Sequence, residues 1–135
     1  MNPVQHAHSG THLIADLHGI AADKLMDVAA IEALMKHAAL SAGATIVYSP
    51  LHAFGAGQGV TGVVLLAESH ISVHTWPELG YAALDIFMCG RADPYQALVV
   101  IEAGFMPQSR EVQCLSRGLQ QHVPLSQTLP AQRHL

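Results

Sequence analysis

Histidine is the first chemistry-bearing residue type to account for, because the chain holds ten of them and an imidazole near neutral pH can serve as metal ligand, acid or base. His70 and His74 are four apart, a spacing that converges on one ion from a helix. They stand, however, in His70-Ile71-Ser72-Val73-His74-Thr75-Trp76, which alternates as a strand does. Four strand residues span roughly 13 Å, so these two imidazoles cannot share an ion. His6, His8 and His12 are expected at or near a mobile terminus, and neither Cys89 nor Cys114 has a partner at zinc spacing. The expectation is no metal. The glycines from Gly55 to Gly62 lack the Lys-Ser/Thr ending of a phosphate-binding loop and open a strand instead of a helix. Two cysteines make no disulfide framework and are read as thiols. What remains is the triplet Glu68-Ser69-His70 closing an apolar strand, by itself the composition of an ordinary turn.

The elements that must position these groups follow from periodicity. His12 to His18 reads as a first strand stopped by Gly19. Asp27 to Ser41 places apolar residues at 28, 31, 34, 35 and 38, which predicts a helix ended by Gly43. Thr45 to Tyr48 and Gly59 to Ala67 read as strands around a glycine loop at Gly55 to Gly59. In His70 to Trp76, Ile71, Val73 and Thr75 share one face, and His70, Ser72, His74 and Trp76 the other. Pro77 to Gly80 is a turn. Tyr81 to Cys89 alternates again, Pro94 to Glu102 is a helix capped by Asp93, and Arg110 to Leu115 is a last strand. The pattern is an α/β (α+β) two-layer sandwich: a largely antiparallel sheet with helices packed on one face. One domain is expected over 1–135, with a loose tail over 121–135.

Composition limits the partners. At 135 residues the chain is about one ordinary domain. Its 12% charged residues fall well under the roughly 25% of a typical soluble domain. With half the residues hydrophobic and a small domain's large surface fraction, some surface is expected to be hidden by a second copy. The net charge of −4 gives counterion release little to act through, so nucleic acid is set aside. Val63 to Ala67 is too short an apolar run to cross a bilayer, and Met1-Asn2-Pro3-Val4-Gln5-His6 is not a secretory signal. No membrane partner and a cytoplasmic location are expected.

Residues 59 to 90, GVTGVVLLAESHISVHTWPELGYAALDIFMCG, resemble the prokaryotic S-adenosylmethionine decarboxylase proenzymes, whose signature is a Gly-Val-Ser-Gly-like strand, then Glu-Ser-His, His-Thr-Trp-Pro-Glu and Cys-Gly. Thr11 to Gly19 is similar to the family's first strand, and the looser likeness runs from about residue 10 to 118. The resemblance implies self-cleavage between Glu68 and Ser69 into 1–68 (β chain) and 69–135 (α chain). Ser69 Oγ would attack the Glu68 carbonyl and convert amide to ester, with proximity supplying much of the rate. His74 matches the processing base that removes the Ser69 Cα proton. Elimination and loss of ammonia then leave residue 69 as a covalent pyruvoyl group. That group forms a Schiff base with the substrate and takes up the electrons of decarboxylation, as pyridoxal phosphate does elsewhere; no pyridoxal phosphate and no metal are implied. Cys89 matches the proton donor, against the plainer reading of a buried thiol. Thr61 stands where the family has a serine that steadies the oxyanion, and equally suits a strand.

For the substrate, Glu78 matches a residue that binds ribose hydroxyls, and Trp76 and Phe54 are candidates to line a nucleoside pocket. The loop after Phe54 is one residue longer than the family's and lacks its proline, while Leu79 and Met88 replace its Tyr and Thr. These departures keep an arginine or ornithine decarboxylase on the same scaffold as an alternative to S-adenosylmethionine decarboxylation for spermidine synthesis; an inactive regulatory homologue is a third. Ser69 and His74 are roughly 16 Å apart if the strand is extended. Either the chain folds sharply between them or His74 serves the Ser69 of another protomer, as in the family's homodimers with sites at the interface.

Overall fold

Alternating apolar residues commit several segments of this chain to strands, and the computed structural model pairs them into one sheet; it describes residues 9–118 and 122–126. The strands are β1 (Gly10–His18), β2 (Ile46–Tyr48), β3 (Leu51–Ala53), β4 (Val60–Leu66), β5 (Ser69–Trp76), β6 (Tyr81–Cys89) and β7 (Ser109–Arg117). The order across the sheet is β2-β4-β5-β6-β1-β7, with β3 also on β4, and every pairing is antiparallel. The expected architecture is observed. His6 and His8 lie outside the described residues, as does most of the expected tail. Among the described residues no helix is long and apolar enough to cross a membrane.

Two helices cover one face. α1 (Val28–Ser41) starts at Asp27, whose carboxylate accepts from the Ala30 N–H at 3.1 Å and so satisfies one orphan donor of the first turn. α2 (Pro94–Phe105) starts at Asp93 in the same way, with proline at its first position. It runs a turn beyond the expected Glu102 because Phe105 is fully buried and Gly104 packs flat on α1: a Cβ there would lie 2.5 Å from Leu34 Cδ1. The core joins Ile31, Met35, Leu98 and Ile101 of the helices to Leu13, Leu17, Ile71, Val73, Leu84, Ile86 and Met88 of the sheet. β3 is a strand the sequence pattern does not single out; its short run has little alternation, and it pairs because Gly62 of β4 leaves room for Leu51.

The other face of the sheet carries no helix among the described residues. Residues directly opposite in an antiparallel pair share a face, so the register sets out transverse rows. Leu65, His70, Phe87, His12 and Leu115 form one; Val63, Ser72, Asp85 and Ile14 the next; Thr61, His74, Ala83 and Asp16 a third; and Trp76 with Tyr81, on whose ring His18 stacks, the last. His12 is thus a partly buried residue inside β1, not part of a mobile terminus. Nine residues of sheet pairing hold it there, between β6 and β7.

Candidate active site

One cleft gathers most of the sequence-predicted site. Phe54, Gln58, Gly59, Thr61, His74, Thr75, Trp76 and Glu78 line a space of ≈ 390 Å³. β4 and β5 bring Thr61 opposite His74, with Thr61 Oγ1 at 3.1 Å from His74 Nδ1. The wall beneath is fixed by Thr75, buried on the core side, whose hydroxyl donates to the Leu25 carbonyl at 2.7 Å and accepts from the Val60 N–H at 2.8 Å. Gly59 is required at the floor, because a Cβ there would stand 1.9 Å from the Thr75 carbonyl oxygen. Trp76 stacks on Tyr81 at 5.0 Å and 16°, and Tyr81 on His18 at 5.2 Å and 11°. The Tyr81 hydroxyl donates to Asp16 Oδ1 at 2.5 Å. Bonding to that carboxylate, with burial added, pushes the phenol up to about 12. Phe54 reaches the cleft from the loop after β3, edge-on to His52, and Glu78 is exposed in the short turn Pro77–Leu79.

Of Leu79 and Met88, two of the departures noted in sequence, Met88 does not face this cleft: it is buried in the helix-side core. Leu79 is exposed in the turn beside Glu78.

Glu68, Ser69 and Cys89 form a second group, at the other end of β5. Leu66 pairs with Ser69, so Ala67 and Glu68 are the two central residues of a tight hairpin. Glu68 takes φ +62, the left-handed region where glycine or asparagine is usual and other residues are strained. The bond that follows it is the one predicted to break. Ser69 Oγ accepts from the Cys89 backbone N–H at 3.2 Å, which sets the predicted nucleophile against the main chain of the predicted proton-donor residue within one chain. β5 is continuous from Ser69 to Trp76, so the chain does not fold sharply, and His74 stays a strand's length, roughly 16 Å, from Ser69.

Between the two groups lies a cluster that sequence reading missed. His70 Nε2 is 2.7 Å and His12 Nε2 3.1 Å from Asp85 Oδ1, and the Ser72 hydroxyl donates to Asp85 Oδ2. Burial alone would raise the Asp85 carboxyl, but the bonds from Ser72, His12 and His70 outweigh it and hold the group below its usual range. The three ligand-type atoms lie within 4.8 Å of one another, as a metal would need. Arg117 favours a hydrogen-bonded cluster over a bound ion. Its guanidinium, a donor only, lies 3.0 Å from His12 Nδ1, so Nδ1 accepts and Nε2 carries the proton. A metal-bound imidazole instead almost always donates from its outer nitrogen. Asp85 is the one charged residue of β6, on the face with Ala83, Phe87 and Cys89, a signal present in the sequence, but nothing local to it pointed to His12, which is 73 residues away.

Comparison with known proteins is consistent across three measures. A family model described as S-adenosylmethionine decarboxylase matches residues 11–118. The S-adenosylmethionine decarboxylase proenzyme of Methanococcus maripaludis is 44% identical over 111 residues, 82% of this chain and 90% of that protein. The proenzyme of Carboxydothermus hydrogenoformans is 52% identical over 89 residues, 65% of this chain and 69% of its own. The crystal structure of the adenosylmethionine decarboxylase from Aquifex aeolicus superposes with a TM-score of 0.76 at 38% identity, covering 90% of this chain and 98% of that one.

Proposed function

Since the chain belongs to the S-adenosylmethionine decarboxylase family, we propose that it cleaves itself between Glu68 and Ser69 and decarboxylates S-adenosylmethionine with a pyruvoyl group derived from Ser69. The observation that carries the site assignment is the paired geometry: Ser69 beside Cys89 at one end of β5, and Thr61 bonded to His74 in a cleft with Trp76 and Glu78 at the other.

In the first step Ser69 Oγ attacks the Glu68 carbonyl carbon, its proton leaves to a base, and the C–N bond breaks to give an ester and a free amine. The left-handed Glu68 raises the energy of the starting peptide. In the His74 tautomer protonated at Nδ1, Thr61 accepts from that N–H, which leaves its own O–H to donate to the oxyanion and leaves His74 Nε2 unprotonated to act as base. His74 then removes the Ser69 Cα proton, and the Glu68 carboxylate departs. Tautomerisation and addition of water release ammonia, and the chains 1–68 and 69–135 result.

Residue 69 fits this conversion: its hydroxyl is within reach of its own upstream carbonyl, the turn before it is exposed, and Cys89 is adjacent. The pyruvoyl group supplies an electron-withdrawing carbonyl that stabilises the carbanion left when carbon dioxide departs. Cys89 delivers the returning proton. Glu78 accepts from the ribose hydroxyls, while Trp76 and Phe54 offer aromatic surface to the adenine and the sulfonium. No metal is assigned.

Because His74 and Ser69 sit at opposite ends of one continuous strand, the working unit is a homodimer in which Ser69 and Cys89 of one protomer meet Thr61, His74 and Glu78 of its partner. The helix-free face supports this. It exposes Ile14, Leu65, Trp76 and Leu115, each between 36% and 43% accessible, where a second sheet would cover them. Intact mass of the purified protein, followed by carbon dioxide release from S-adenosylmethionine, arginine and ornithine, tests the whole reading. Two fragments and turnover of S-adenosylmethionine alone are expected; an intact 14.4 kDa chain with no turnover refutes it, and turnover of arginine or ornithine instead refutes the substrate.

A further inference from the structure

We infer that Asp85 is a positioning residue: by clamping His70 and Ser72 of β5 to His12 of β1, it fixes the start of the strand whose first residue is Ser69, and so fixes where the reacting group stands. The inference rests on the proposed cleavage at Ser69.

Before cleavage, residue 69 is held by its peptide bond to Glu68 and by the Cys89 N–H on its hydroxyl. Conversion removes both, because the peptide bond is broken and the hydroxyl is consumed. Residue 69 becomes a chain terminus joined only to the backbone nitrogen of His70, and termini fray unless tied. His70 is the first side chain after it, and its Nε2 donates to Asp85 at 2.7 Å. Two residues on, Ser72 donates to the other carboxylate oxygen.

The anchor is itself anchored. His12 donates to the same oxygen as His70, and Arg117 of β7 fixes the His12 tautomer that can do so. Arg117 also lies over the Phe87 ring, 5.4 Å from its centroid. Phe87 in turn packs beside both imidazoles at 5.4 and 5.8 Å. The charge of Asp85 therefore ties β5 through β6 and β1 to β7. A carboxylate suits the place because it accepts at every lone pair, while an amide of the same shape must turn a donor toward one of its three donors.

The test is Asp85→Asn, with kcat and KM measured for S-adenosylmethionine on the cleaved fraction alone. Since the cleft that binds the nucleoside is at the far end of β5, kcat should fall at least tenfold while KM stays within twofold. A kcat like that of the parent, or a KM rising in step with the loss, overturns the inference. Should Asp85→Asn not fold, His70→Ala and His70→Gln decide: Gln keeps a donor within reach of Asp85, so it should recover most of the kcat that Ala loses. Equal loss in both points to direct chemistry by His70 and overturns the positioning role. Failure of the parent chain to cleave and decarboxylate would refute the underlying reading, and is seen separately from either variant.

Discussion

Thr61 and His74 are directly opposed across the β4–β5 ladder, with the threonine hydroxyl 3.1 Å from the imidazole Nδ1. The contact lets one side chain orient a base and still offer a proton to an oxyanion. Thr61→Val keeps the strand's shape and removes both functions, so self-cleavage should slow by about 10²–10³-fold, the usual cost of losing one oxyanion donor. Thr61→Ser should restore most of the rate. Cleavage time courses by mass spectrometry decide; unimpaired cleavage in Thr61→Val would leave the threonine as a plain strand residue.

The separation of Ser69 from His74 along β5 gives a complementation test. Alone, Ser69→Ala and His74→Ala should each remain intact. Co-expressed, they should form mixed dimers in which the His74→Ala chain is cut by its partner's intact His74. Absence of any cut chain, with mixed dimers verified by differential tags, would place both groups in one protomer's site.

In the cleft, Trp76 has one ring face against Tyr81 and lines the space with Glu78. Trp76→Ala should weaken nucleoside binding by about 1–3 kcal/mol, as removal of an aromatic stacking partner for a base does. This reads as a rise in KM with cleavage intact. An unchanged KM would move the adenosyl group elsewhere.

Asp85 predicts a particular acid sensitivity. Its folded carboxyl is held below its usual value by the Ser72, His12 and His70 bonds, against the upward push of burial. A depressed carboxyl stabilises the fold above the unfolded value of about 3.9 and loses that contribution as pH falls through the lower folded value. In the uncleaved Ser69→Ala background, melting temperature should therefore fall less steeply with acidification when Asp85→Asn is added. Parallel acid limbs would contradict this.

Tyr81 predicts the opposite limb. Its phenol, raised to about 12 by Asp16 and burial, stabilises the fold below the unfolded value of about 10 and loses that contribution as pH rises toward 12. Ultraviolet titration should show a late-ionising tyrosine that returns toward ordinary behaviour in Asp16→Asn. An unmoved titration would mean that burial alone holds the phenol.

Much of this was legible along the chain because a strand encodes its own faces. The alternation in His70 to Trp76 already put His74 and Trp76 on the polar side, and the Asp93 cap marked where α2 begins. The Glu68-Ser69, His74, Glu78 and Cys89 candidates came from one short motif. What stayed hidden were features made by register and packing: β3, which needs Gly62 beneath Leu51; the extra turn of α2, which Phe105 and Gly104 make by packing on the core and α1; and the meeting of His12 with Asp85 across strands.

The sequence by itself thus determined which side chains share a face, since successive strand residues point oppositely whatever lies beside them. Only the tertiary structure decided which of them meet across strands. Asp85 finds Ser72 at 13 residues' separation and His12 at 73, and Arg117 reaches His12 across 105. Those distances follow from how four strands are ordered and paired, and that order is set by burying one whole face against two helices, which no local window of the chain contains.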